Sequence, residues 1–117
     1  MKEDEKSILE TTTNPFVKTF SDTHAKHEGI FEQKQSYRLR SGLVTLPPGE
    51  SVGEHSTEDH EELVIALSGK GEIEAEGLGR ANFGEGQVAY NPPNTKHNVI
   101  NTGNRPLKYI YVVTKVL

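Results

Sequence analysis

Glycine and proline interrupt this chain too often for long helices to form. Between residues 38 and 116 the clusters Pro47-Pro48-Gly49, Ser68-Gly69-Lys70-Gly71, Gly77 to Gly79, Gly84-Glu85-Gly86, Asn91-Pro92-Pro93-Asn94 and Thr102-Gly103-Asn104 follow one another. Each is a turn signal with its own mechanism: glycine reaches positive φ, and proline fixes φ and removes a donor. The runs between them are short and alternating or β-branched. They predict strands over 38–46, 50–55, 61–67, 72–76, 80–83, 87–90, 96–101 and 107–116. Turns every ~8–12 residues are the pattern of an all-β barrel or sandwich. No segment combines the length and the 3.6-residue period of a solid helix.

The run from Glu61 to Leu67 carries further information. Glu62, Val64 and Ala66 share one face, and Leu63, Ile65 and Leu67 share the other. A strand with one wet face alternates more cleanly. Both faces therefore call for cover, from a second sheet or a partner subunit, and 107–116 has the same character. A homodimer built on sheet packing is the expectation.

Composition narrows the function classes. The 117 residues suit one domain. Thirteen Lys and Arg stand against seventeen Asp and Glu, with no basic block to follow a phosphate backbone, so a nucleic-acid partner is not expected. The chain has no Cys, which excludes disulfides, thiol catalysis, iron–sulfur clusters and Cys-based zinc sites. No stretch approaches the ~20 apolar residues of a membrane span, and no signal-like run follows the charged start, so a cytoplasmic protein is expected. Residues 1–13 read as a loose or arm-like head. Residues 14–37 read as a strand over 15–20 and a loop over 22–29, packing on the barrel or on a partner. Residues 38–117 read as the barrel itself.

Two blocks carry the groups able to do chemistry. The first runs from Gly49 through His55, His60, Glu61 and Glu62 to Gly69; the second runs from Gly86 through Pro92, Asn94 and His97 to Asn101. Imidazole and carboxylate donors from separate strands can meet inside a small barrel, and a mixed N/O set suits Mn, Fe, Ni, Zn or Cu.

These blocks resemble the two motifs of the cupin superfamily. Gly49, His55, Glu62 and Gly69 keep the spacing of the first motif, with Thr57 where its second His belongs. Gly86, Pro92, His97 and Asn101 match the second motif at every spacing, with Asn94 in place of a Gly; Asn also tolerates a left-handed turn. The resemblance spans residues 38 to 116 and implies a double-stranded β-helix, or jelly roll. It also implies one divalent transition metal held by His55, Glu62 and His97. His60 is the candidate to restore the missing ligand, since it lies two residues before Glu62 and shares its face if the strand is already extended there. A bend over 57–59 would bring it into reach. The alternatives are a three-ligand site without His60, or a hydrogen-bonded polar cluster in a cupin without metal.

Glu62 is the candidate proton acceptor, and Tyr90 and Tyr111 are candidate pocket groups. Tyr109 shares a face with Tyr111. Arg38, Arg40 and Lys108 are either anchors for an anionic substrate or solvated ends. His24 and His27 read as surface residues, their one special claim being that an N-terminal strand could cover the barrel mouth. Asn101 reads as a turn cap bonded to backbone. Two functions follow from these readings. One is a metal-dependent enzyme isomerising or oxygenating a small polar metabolite, such as a sugar, organic acid or enol. The other is a module that binds or senses such a molecule without chemistry.

Overall fold

Turn chemistry decides the architecture. The computed structural model describes residues 13–21, 25–32 and 34–116. Among these, nine strands form: β1 (His27–Gly29), β2 (Leu39–Leu46), β3 (His55–Ser56), β4 (His60–Ser68), β5 (Gly71–Ala75), β6 (Gly79–Asn82), β7 (Val88–Asn91), β8 (Lys96–Asn101) and β9 (Leu107–Lys115). They make a five-stranded sheet in the order β1-β2-β9-β4-β7 and a four-stranded sheet in the order β3-β8-β5-β6. Every pairing is antiparallel. This is the all-β, jelly-roll arrangement that the motif resemblance implies. Among the described residues no helix is long and apolar enough to cross a membrane.

The core lies between the inner faces of the two sheets. Val44, Leu46, Val64, Ala66, Ile73, Phe83, Val99, Leu107 and Tyr109 form its buried cluster. Strand parity explains the membership. In β8, His97, Val99 and Asn101 are buried while the residues between them are more exposed. In β4, Val64 and Ala66 point into the core, whereas Leu63 and Leu67 remain on the outer face at 38% and 43% exposure. Val88 and Tyr90 of β7 extend the same apolar outer surface.

Some turns tolerate only one residue type. Gly69 sits at φ 91°, and a Cβ there would press on the carbonyl oxygen of Pro106, so the turn between β4 and β5 needs glycine for both conformation and space. Asn94 occupies φ 53° in the turn before β8, the left-handed position anticipated for it.

The N-terminal part differs from its expectation. Residues 15–20 form no strand, and the predicted loop over 22–29 contains β1, which pairs with β2. The three residues of β1 have little strand propensity of their own. The open edge of β2 supplies ladder partners, and this tertiary pairing outweighs local preference. Lys18 meets Glu28 at 3.0 Å and Phe16 packs edge-on against Phe31, which ties the preceding segment to β1. The expected head over 1–13 falls almost wholly outside the described residues, as does His24.

Candidate metal and ligand site

The two sheets enclose a cavity of about 260 Å³. Each sheet contributes two of the four expected donors. From the four-stranded sheet, His55 of β3 lies directly opposite His97 of β8 in the ladder, and the ring centroids are 4.2 Å apart. From the five-stranded sheet come His60 and Glu62 of β4, two residues apart on one face. The bend that places His60 is the one expected. Glu58 takes φ 53°, and the His60 amide donates to the Thr57 carbonyl at 3.0 Å. All four expected donors thus line one cavity. They are not drawn into a ready-made cluster, since no three His, Asp or Glu side chains among the described residues are placed to hold a metal ion as they stand.

The two imidazoles that face each other are oriented alike. His97 Nδ1 lies 2.9 Å from the Thr95 carbonyl, and His55 Nδ1 lies 2.7 Å from the Gly53 carbonyl. A carbonyl only accepts, so both Nδ1 atoms carry the proton, and in the neutral ring Nε2 keeps its lone pair. His97 is buried, and its Nε2 has no well-directed hydrogen-bond partner. Glu62 Oε1 is 3.0 Å from that nitrogen but off the line of a ring N–H, so the contact is electrostatic rather than a directed bond. Burial works against the imidazolium of His97, yet the Glu62 carboxylate and the Thr95 carbonyl outweigh it and the pKa is raised.

Glu62 is held in place by a residue that sequence reasoning overlooked. The register of β4 with β7 sets Glu62 opposite Asn91 and Leu63 opposite Tyr90. Asn91, 1% exposed, therefore faces inward and its Nδ2 donates to Glu62 Oε1 at 3.0 Å. Tyr90 faces outward, and its hydroxyl donates to Glu61 at 2.8 Å on the solvent side, which raises its pKa. The structure thus separates Tyr90 from the cavity, and one step of strand phase is the reason.

Thr57 occupies the place of the missing motif histidine and has a structural task. Its hydroxyl donates to the Pro92 carbonyl at 2.6 Å and accepts from the Thr95 amide at 3.0 Å. It binds the turn after β7 to the turn after β3. His60 Nδ1 contacts Asp59 Oδ1 at 2.9 Å. Burial opposes ionisation of that aspartate, but its own backbone amide, Lys115 and His60 hold its pKa below the ordinary value.

The cavity mouth contains an arrangement that the sequence reading missed. His27, read as a surface residue, lines the cavity, and its Nε2 is 2.7 Å from the Tyr111 hydroxyl. The two rings stack at 17°. Gly42 lies between them on β2, where a Cβ would come within 2.8 Å of both atoms. A glycine in mid-strand signals close approach of another group, and that was the available clue. Tyr109 and Tyr111 share the inner face as expected. Burial first, and then the Glu62 charge, pushes both phenols up, with Arg40 acting the other way on Tyr111.

Comparison with known proteins agrees with this fold. Seventy residues, 60% of this chain, are 34% identical to an oxalate-binding protein of Thermotoga maritima, and the matched stretch is 57% of that protein's length. A Thermotoga maritima crystal structure described as a predicted oxalate decarboxylase superposes with a TM-score of 0.72 at 26% identity, over 77% of this chain and 79% of that one. A cupin 2 conserved barrel domain protein of Salinispora arenicola shares the fold with a TM-score of 0.74 at 22% identity, over 88% and 92% of the two chains. The sequence pattern of the cupin domain matches residues 42–113, which is more than half of the chain and includes both donor blocks. The chain belongs to the cupin domain family.

Proposed function

We propose that this cupin binds a small polar metabolite at a divalent transition metal held by His55, Glu62 and His97, with His60 as the fourth donor, and that the centre serves an enzyme. The observation that carries the reading is the matched pair of imidazoles. Each is pinned through Nδ1 to a backbone carbonyl, the outer-shell arrangement that metal-ligating histidines use, and in the neutral ring this leaves the Nε2 lone pair to an ion, with Glu62 Oε1 already beside that of His97. A bound divalent ion would supply Lewis-acid polarisation of a ligand oxygen. The chain's own residues do the rest. Asn91 orients Glu62, the valines Val44, Val64 and Val99 exclude water, and Glu62 accepts a proton when its carboxylate is free to do so. The likeness to an oxalate-binding protein supports a small organic acid among the metabolites considered.

Elemental analysis of the purified full chain tests this. The wild type is expected to carry close to one equivalent of a transition metal, and His97→Ala and Glu62→Gln are expected to lose it. Loss of a direct ligand costs more affinity than the ~10–100-fold typical of an outer-shell partner. His60→Ala retains metal with weaker affinity if His60 is the fourth donor, and equal affinity removes His60 from the set. Full occupancy in His97→Ala overturns the site.

A second reading, ligand binding without metal or chemistry, is favoured by the contacts of Glu62. Its Oε1 already meets both Asn91 and His97 at 3.0 Å, so the carboxylate has partners without an ion. A wild-type chain that binds an organic acid after exhaustive chelation supports this alternative.

A second copy of the chain covers the outer face of the five-stranded sheet. Leu63, Leu67, Val88 and Tyr90, all exposed and on one face, support this homodimer. Sedimentation velocity is expected to report a dimer for the wild type and a monomer for the double variant Leu63→Lys, Val88→Lys. An unchanged sedimentation coefficient in that variant places the interface elsewhere.

A further inference from the structure

We infer that Arg40, with the His27–Tyr111 pair, forms an anion anchor at the cavity mouth, so the metabolite bound here is a small carboxylate. The inference rests on the reading above that this cavity is the ligand site. Arg40 lines the cavity from β2. The register sets Arg40 opposite Val113 and Gly42 opposite Tyr111, so Arg40 and Tyr111 are diagonal neighbours on the inner face. Such neighbours lie ~7–8 Å apart at the backbone, within reach of long side chains. Arg40 makes no ion pair with any carboxylate among the described residues. The cavity's own acid, Glu62, shares a cross-strand row with Arg40, both opposite Val113, but its carboxylate is engaged by Asn91 and His97 instead. An exposed guanidinium at the entrance of a small, largely apolar cavity is suited to the two-oxygen fork of a carboxylate.

The His27–Tyr111 pair adds direction. Gly42 has no side chain, so His27 on β1 reaches across β2 to Tyr111 on β9 and fixes the phenol beside Arg40. When His27 Nε2–H donates to the phenol oxygen, the Tyr111 O–H is free to donate to an anionic oxygen. The N-terminal strand thereby completes the ligand site, and this gives β1 a function beyond closing the sheet edge. A carboxylate held at Arg40 and Tyr111 leaves the other end of a short acid facing the His55–His97 pair.

The test compares two molecules of one shape. Oxalate is an anion, and oxamide is its neutral diamide. Isothermal titration of the full chain is expected to show oxalate binding, with oxamide at least about tenfold weaker. Arg40→Gln is expected to weaken oxalate about tenfold or more, the loss of a charge-assisted contact, while Arg40→Lys recovers part of it. Gly42→Ala and Tyr111→Phe are expected to weaken oxalate several-fold. Arg105→Gln, on a surface turn, should bind as the wild type does. The inference is overturned if Arg40→Gln binds oxalate at wild-type strength, if oxamide binds equally well, or if the wild type binds no oxalate in the millimolar range. Metal content measured on the same samples separates the two readings. If the chelated chain still binds oxalate through Arg40, the anchor stands and the metal reading falls. If Arg40→Gln retains its metal and its full oxalate affinity, the anchor falls and the metal reading stands.

Discussion

Phe83→Ala is expected to cost ~3–5 kcal/mol of folding stability, the range for truncating a fully buried aromatic residue. Phe83 is 1% exposed and follows β6 directly. Its ring meets Tyr109 edge-on, with centroids 5.9 Å apart, so it packs the four-stranded sheet against the central strand of the five-stranded sheet. Its amide donates to the Gly71 carbonyl at 2.9 Å, which fixes the backbone and leaves the ring little room to move. Alanine there would leave a void bounded by both sheets, which cannot collapse without shifting ladder hydrogen bonds. A domain of this kind has ~5–15 kcal/mol in total, so the loss is a large fraction of it. A melting temperature lower by ~10–20 °C, with an unchanged urea m-value, is the expected record. Phe83→Leu keeps most of the apolar volume and should lose much less. A loss below ~1 kcal/mol for alanine would show that the core closes over the gap. The functional consequence is local, because Tyr109 also lines the cavity, and its wall loosens when Phe83 no longer backs it.

The parts of the fold that were legible in the sequence are those where local and tertiary preferences agree. The run 96–101 was read as a strand between two turn clusters, and β8 occupies those same residues, because Asn94 and Gly103 end the extended backbone on either side. The pairing of His60 with Glu62 on one face was legible for the same reason, since period-two alternation needs no knowledge of the partner strand. Tyr90 and Asn91 show where this stops. The strand was read to end at Tyr90, and nothing local says which of the two faces inward. That choice belongs to the register with β4, a contact between distant parts of the chain. His27 was hidden for a related reason. Three residues with no strand propensity become a strand because β2 has an open edge, and the imidazole acquires its role from Tyr111, 84 residues away. Arg40 was flagged only as one of several cations, and its side of the sheet became decidable once Gly42 was known to face Tyr111.

Asn101→Asp isolates the role of the last residue of the second motif, and it is expected to destabilise the fold by ~3–5 kcal/mol with almost no change in packing. Asn101 is 1% exposed. Its Nδ2 donates to the Leu46 carbonyl and to the Arg105 carbonyl, each at 2.8 Å, and its Oδ1 accepts from the Gly103 amide at 2.9 Å. One side chain thus ties the end of β2, the end of β8 and the turn into β9 together. Aspartate preserves the size and the bond from Gly103 but removes both donors, and it places a second oxygen against two carbonyl oxygens. Either the carboxylate stays ionised and is repelled, or it takes up a proton at a cost, and both outcomes penalise the folded state. Lowering the pH should restore part of the loss, because the protonated acid regains one donor. The sign follows from linkage: the buried carboxyl has a raised pKa, so the folded state binds the proton more tightly and gains stability as pH falls. Urea titrations at neutral and acidic pH, referred to the wild type at each, provide the measurement. A role in ligand or metal contact predicts something else, namely near-normal stability with lost metal. If Asn101→Asp proves as stable as the wild type while its metal content falls, the motif asparagine serves the site; if stability falls and metal per folded molecule holds, it serves the barrel.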